Sequence, residues 1–359
     1  MSEHKQFSID WVLLTGLLVL SVVSLFVLYS AGDQDTDLLL RQSIRITLAF
    51  VVMFAVARIT PEQLLRWTPY LYGIGLLMLV IVLGAGVVGK GAQRWLDLGF
   101  VRFQPAEMMK LAVPMMVAWV MVRKPLPVTL PTVIIGFIVV VIPAFLVIKQ
   151  PDLGTAILIA GSGLVVIFFA GMSWRLIAMV GAFAAAAAPL AWYMLHDYQR
   201  RRILTLFDPW SDPLGSGYHT IQSAIAVGSG GVYGKGWLNG SQSQLDFIPE
   251  RSTDFVFAVF SEEFGFIGSL LLLLAYLFVV GRSLYIAIEA KDSYTRLLCG
   301  SLAVTFAIYV FVNIGMVTGI LPIVGVPLPL ISYGGTSMVS LMAGFGILMS
   351  AYSNRWFMH

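Results

Sequence analysis

Charge is scarce in this chain. Of 359 residues only 11% are Asp, Glu, Lys or Arg, against about 25% in a soluble domain. Cysteine is nearly absent: Cys299 stands alone, which excludes an internal disulfide and a cysteine-built metal cluster. The four histidines, His4, His196, His219 and His359, show no metal-ligand spacing on any helix. Strict apolar–polar alternation is missing, which argues against a membrane barrel. No cleavable leader is expected, because the first apolar run is too long and lacks a small-residue cleavage site. The net charge of +3 is unremarkable, and no nucleic-acid partner is expected.

What fills the chain instead is hydrocarbon: 58% of residues are hydrophobic and the mean hydropathy is +0.88. A helix needs about 17–25 apolar residues to cross ~30 Å of hydrocarbon. Ten stretches qualify: 11–30, 44–57, 70–88, 108–122, 133–148, 153–171, 176–195, 255–280, 297–319 and 331–352. The second, fourth and fifth are short and need flanking residues. The expected fold is a single all-α polytopic integral membrane domain over 1–359, with ten transmembrane helices and a large polar loop, 196–254, between the seventh and eighth. Long loops of this kind are commonly functional.

Placement of Lys and Arg sets the orientation. With the N-terminus inside, the cytoplasmic ends carry Lys5, Arg58, Arg66, Arg123, Lys124, Arg175, Arg282, Lys291, Arg296 and Arg355. The outer face carries about as many, but most lie in two loops. Lys90, Arg94 and Arg102 sit in 89–105, and Arg200, Arg201, Arg202, Lys235 and Arg251 in 196–254. Both termini are therefore expected in the cytoplasm and the 196–254 loop outside. The outer cations read either as a site for an anionic ligand or as anchors to lipid headgroups.

Four motifs rise above the apolar background. GKGAQRWLDLGFVRFQPAEMMK (89–110) brings Arg94 and Trp95 to a loop and opens a helix at Pro105, where a missing N–H is harmless. Glu107 and Lys110 then share one helix face, as a functional pair or a structural ion pair. KQPDLGT (149–155) offers Asp152, either a helix cap or a site residue. PERSTDFVFAVFSEEFGFIG (249–268) sets Asp254 where water gives way to lipid, either a cap and dipole partner or a catalytic carboxylate. Glu262 and Glu263 follow about 12 Å along the same helix. NIGMVTGILPIVGVPLPLISYGGTS (313–337) is a Pro- and Gly-rich hairpin that includes Ser332; such backbone must be buried in protein or line a wet cavity. The glycine-rich run GSGGVYGKGWLNG fails the Walker pattern, having Ser229 and Gly236 where Gly and Ser or Thr are required, but backbone nests still bind phosphates.

Taken together and in order, these motifs resemble the SEDS family (shape, elongation, division and sporulation), its rod-elongation branch more than its division branch. The resemblance implies a peptidoglycan glycosyltransferase of the bacterial cytoplasmic (inner) membrane. It would polymerise lipid II on the outer face by inverting transfer, with release of undecaprenyl diphosphate. It implies Asp254 as the catalytic carboxylate and Glu107 and Lys110 as the loop-to-helix pair. The expected substrate-binding set is Glu107, Lys110, Arg94, Trp95, Lys235, Arg251, Asp152 and Ser332. The implied partners are a class B penicillin-binding protein and other elongation-complex membrane proteins; a divalent cation such as Mg2+ could assist the leaving diphosphate. A lipid II flippase and a non-catalytic scaffold for a transpeptidase are the competing readings.

Overall fold

The computed structural model describes residues 8–89, 92–97, 99, 102–124, 128–172, 174–194, 197–213, 215, 217–244, 247–248 and 250–355. Lys5, Lys90, His4, His196 and His359 lie outside the described residues.

Thirteen helices are described: α1 (Trp11–Ala31), α2 (Thr36–Ala57), α3 (Pro61–Ala85), α4 (Pro105–Met121), α5 (Leu130–Lys149), α6 (Leu153–Phe169), α7 (Trp174–Met194), α8 (Asp197–Phe207), α9 (Tyr218–Ser229), α10 (Ser241–Gln244), α11 (Val256–Ile288), α12 (Ser293–Val317) and α13 (Thr336–Asn354). All ten apolar stretches fall on helices, α1–α7 and α11–α13. Seven of these, α1, α2, α3, α5, α11, α12 and α13, are long and apolar enough to cross a membrane; α6 is a shorter apolar helix.

Local chemistry sets the helix starts. The side chains of Asp10, Asp35 and Asp292 accept from backbone N–H groups in the first turns of α1, α2 and α12, and Thr60 with Gln63 forms a capping box on α3. Packing inverts the usual soluble pattern. Large apolar side chains face outward, as at Val22 and Phe26 of α1, Ile138 and Val141 of α5, and Leu271 and Phe278 of α11. Buried among the helices are Glu107, Lys110, Asp152, Glu262, Glu263 and Asn313. Apolar side chains turned outward over a polar interior suit a hydrocarbon solvent. At the centre, α4 packs against α3, α5, α6, α12 and α13.

Two segments differ from the expectation. The 89–105 region is not plain loop: β1 (Val87–Gly89), β2 (Ala92–Asp97) and β3 (Arg102–Phe103) form an antiparallel sheet, order β1-β2-β3. The 196–254 region carries α8, a 3-10 turn at Pro209–Ser211, α9 and α10. Ser223 Oγ of α9 donates to Val317 O at 2.9 Å, pinning α9 to the end of α12.

The glycine-rich run has a structural task. Helix α11 breaks at Gly265 (φ 65, ψ −162), which frees backbone groups on either side. The run refills them. Lys235 N donates to Glu262 O (3.0 Å) and Gly236 N to Glu263 O (2.9 Å), while Phe266 N and Ile267 N donate to Gly231 O (2.9 Å) and Val232 O (3.1 Å). Amides that sequence pattern offered as a phosphate nest are turned inward to helix carbonyls.

Candidate active site

Asp254 occupies the turn before α11. The helix N-cap is Phe255, so Asp254 stands just outside the capping position. Three residues from two elements, α12 and the hairpin after it, hold the backbone of the 252–254 turn. Asn313 Nδ2 of α12 donates to Asp254 O (2.9 Å) and to Val326 O (2.7 Å). Ser332 Oγ donates to Thr253 O (2.5 Å) and accepts from Leu328 N (2.8 Å). Tyr333 N donates to Ser252 O at 2.8 Å. The Pro- and Gly-rich hairpin between α12 and α13 therefore grips the 252–254 turn. Gly325 of that hairpin has φ 72, and a Cβ built there would lie 3.5 Å from Asp254 Oδ2; the left-handed backbone, which disfavours L side chains, keeps the space over the carboxylate clear.

Asp254 borders two clefts. The first, of about 450 Å3, is lined by Arg94, Trp95, Asp152, Gln199, Arg202 and Glu250, with Gly325 and its neighbours as floor. The second, of about 400 Å3, is lined by Arg201, Arg202, His219 and Glu250. Glu250 adopts φ 53, a conformation that costs of order 1–3 kcal/mol outside glycine and is over-represented at functional sites.

On the first cleft, Asp152 does two things at once. Its Oδ1 accepts from Thr155 N (3.2 Å) as the cap of α6. Its Oδ2 accepts from Gln104 Nε2 (3.1 Å) and lies 3.5 Å from Arg94 Nη1. Arg94 Nη2 also donates to Pro151 O at 2.7 Å, while its Nε is buried with no hydrogen-bond partner. The guanidinium is aimed by these contacts and retains donor capacity for an anion.

One turn into α4, Glu107 and Lys110 form a buried pair: Lys110 Nζ to Glu107 Oε1 is 2.7 Å, and both side chains are less than one-tenth exposed. Ser340 Oγ of α13 donates to Glu107 Oε2 at 2.7 Å, and Lys110 Nζ sits 5.1 Å from the Tyr309 ring centre. Removing one partner of a buried pair leaves an uncompensated charge, at about 3–5 kcal/mol. Lys110→Met is therefore expected to lower the melting temperature of the purified protein sharply, and Lys110→Met with Glu107→Gln to recover most of the loss. A single variant as stable as the parent would dismiss the pair as a stabilising unit.

The expected site residues thus separate. Arg94, Trp95, Asp152 and Asp254 share the first cleft. Lys235, Arg251 and Ser332 line neither cleft. Lys235 Nζ is held by Glu262 Oε1 and Ser241 Oγ, each at 2.7 Å. Arg251 is paired with Asp33, and Ser332 ties backbone. Sequence reasoning counted Arg202 only as one outer cation and passed over Glu250, His219, Asn313 and Ser340 as site residues. Glu250 shares the PERSTD segment with Asp254 and was within reach; the pairing of Ser340 with Glu107 carries no local signal. Among the described residues no three His, Cys, Asp or Glu side chains are grouped as a metal would require. No step is routed through a metal ion.

The class defined by this fold and site is a multi-pass α-helical membrane protein with a charged cleft built where its helices end. The chain belongs to the FtsW/RodA/SpoVE family of cell cycle proteins, whose sequence pattern matches residues 5–355. It is 52% identical over 348 residues to the peptidoglycan glycosyltransferase MrdB of Escherichia coli (strain K12), covering 97% of this chain and 94% of that one. Among solved structures it resembles a chain of a peptidoglycan synthase complex that coordinates polymerization and crosslinking (TM-score 0.85, 30% identity, 98% and 99% of the two chains). It also resembles the rod shape determining protein RodA of Thermus thermophilus (TM-score 0.75, 28% identity, 98% and 99% covered).

Proposed function

We propose that this protein is a peptidoglycan glycosyltransferase of cell elongation and shape maintenance, polymerising lipid II into β-1,4 glycan strands and releasing undecaprenyl diphosphate. The observation that carries the reading is Asp254, set at the head of a cleft whose walls hold Arg94 and Arg202. Family membership and the MrdB relative support the same activity.

The geometry suits the chemistry. The donor sugar leaves as a lipid diphosphate, a leaving group stabilised by cations rather than by an acid. Arg94 and Arg202 supply positive charge on the cleft wall. The acceptor hydroxyl needs a base. Asp254 takes that proton, the freed oxygen bonds the anomeric carbon of the donor, and the diphosphate departs with the electrons of the broken C–O bond. Attack opposite the leaving group turns an α-linked donor into a β-linked product. Glu107 and Lys110 pair within α4, and Ser340 ties Glu107 to α13. Purified protein given lipid II is expected to yield glycan polymer. Lipid movement without polymer would support a flippase instead, and neither product a scaffold.

In this reading α1–α7 and α11–α13 span the bacterial cytoplasmic membrane, both termini lie inside, and the clefts open outside. Ser211 is exposed and Cys299 fully buried. Ser211→Cys in a Cys299→Ser background is expected to react with an impermeant maleimide in intact spheroplasts. Labelling only after lysis would invert the topology and remove the substrate from reach. The partner is a class B penicillin-binding protein, with other elongation-complex membrane proteins beside it. Likeness to a chain from a synthase complex that both polymerises and crosslinks favours that partnership.

A further inference from the structure

Asp254 borders a second cleft that the mechanism above leaves unused. It opens between α9 and the 250–254 turn, with Arg201, Arg202, His219 and Glu250 on its walls. His219 lies in the first turn of α9. Its ring stacks on Phe255, centres 5.6 Å apart and planes 13° apart. Phe255 follows Asp254 directly, so the stack fixes the imidazole beside the proposed base.

The nitrogens of His219 are not equivalent. Nδ1 is buried with no hydrogen-bond partner, whereas the half-buried ring as a whole lines the cleft. A proton on Nδ1 would leave a buried donor unmade. A proton on Nε2 leaves only a bare acceptor inside. Burial lowers the pKa of His219, Arg202 lowers it further, and Glu250 opposes both without reversing them; Arg201 and Asp254 are the other charged groups on the same cleft. The shift favours the neutral ring.

We propose that the second cleft is the acceptor-saccharide subsite, in which His219 donates its Nε2–H to an oxygen of the incoming amino sugar while Asp254 takes the proton of the attacking hydroxyl. The proposal rests on the glycosyl-transfer reading. Joining two lipid-linked saccharides requires two binding places that meet at the base. The two clefts meet at Arg202, Glu250, Asp254, Ile323 and Gly325. The division of chemistry agrees: Arg94, aimed by Asp152, suits a diphosphate on one side, and a neutral N–H suits an uncharged sugar oxygen on the other. Arg201, exposed at the rim, suits the carboxylates of the sugar's peptide.

The test uses the purified full chain with two probes: a soluble disaccharide–pentapeptide that carries no lipid diphosphate, and undecaprenyl diphosphate. His219→Phe keeps the stack on Phe255 and deletes the N–H; His219→Gln returns an N–H at similar reach. The Phe variant is expected to bind the disaccharide–pentapeptide about 10-fold more weakly, the scale of one lost hydrogen bond, and Gln to restore most of it. Undecaprenyl diphosphate should bind both alike. A Phe variant that binds the saccharide as the parent does, or loses both probes equally, overturns the subsite. If the Phe variant fails to fold, Arg201→Ala carries the decision: selective loss of the saccharide probe supports the subsite and unchanged binding overturns it. A parent protein that binds the saccharide yet makes no polymer from lipid II would overturn the polymerase reading and the acceptor role with it, leaving the second cleft as a saccharide-binding site only.

Discussion

Asp254→Asn is expected to remove polymerisation by about 10²- to 10⁴-fold, the range associated with a positioned base, while the protein remains folded. The structure separates the two roles a carboxylate could have there. The N-cap of α11 is Phe255, so the helix start does not depend on an Asp254 side chain in the capping position. The turn is held through backbone groups, by Asn313, Ser332 and Tyr333, and none of these bonds involves the carboxylate. Asn preserves shape and removes basicity. Asp254→Glu should be poor as well, because an added methylene moves the carboxylate by about an ångström and orientation weighs steeply on rate. Turnover and melting temperature measured on one preparation decide the matter. A stable, inactive Asn variant supports the base. A stable variant with parental turnover would move the base elsewhere, with Glu250 on the same two clefts as the next carboxylate to test.

Much of this was legible in the sequence because the hydrocarbon imposes long apolar runs. Each expected apolar stretch overlaps a helix, and seven of those helices are long and apolar enough to cross a membrane; α2 begins at Thr36, earlier than hydropathy alone suggests, because Arg41 and Arg45 interrupt the apolar signal within an unbroken helix. The first cleft was legible where one motif held its residues: Arg94 and Trp95 in GAQRW, Asp152 in QPDLGT, Asp254 in ERSTD. Residues brought in by distant chain were not. Asn313, which sets the backbone of Asp254, and Ser340, which completes Glu107, act across intervals that no local pattern reports. Cation counting does not report partners. Lys235 and Arg251 sit in the most polar stretch of the chain, yet their partners are Glu262 and Asp33. Charge density there reflects carboxylates that α11 and the end of α1 place at the same level, which a one-dimensional reading cannot see.

The glycine-rich run yields the largest expected effect on folding. Helix α11 is interrupted at Gly265, and four backbone bonds to residues 231–236 close the gap. In a lipid-facing bundle, each backbone group left without a partner costs several kcal/mol. The closure demands contact too tight for side chains. A Cβ at Gly234, where φ is 80, would lie 2.1 Å from Glu263 O, and one at Gly265 would lie 2.3 Å from Gly234 N. These are backbone atoms in a shared hydrogen-bond set, and they cannot move aside without parting the set. Gly234→Ala is therefore expected to destabilise the protein by more than about 3 kcal/mol, beyond the usual cost of a point substitution. Gly231 provides the control. It also has positive φ, 56, but a Cβ there meets nothing within 4 Å. Gly231→Ala should show only the left-handed backbone penalty of about 1–2 kcal/mol. Melting temperatures of the two purified variants separate close approach from conformational strain. Equal losses would mean that backbone conformation alone explains these glycines, and that the run does not close α11 by contact.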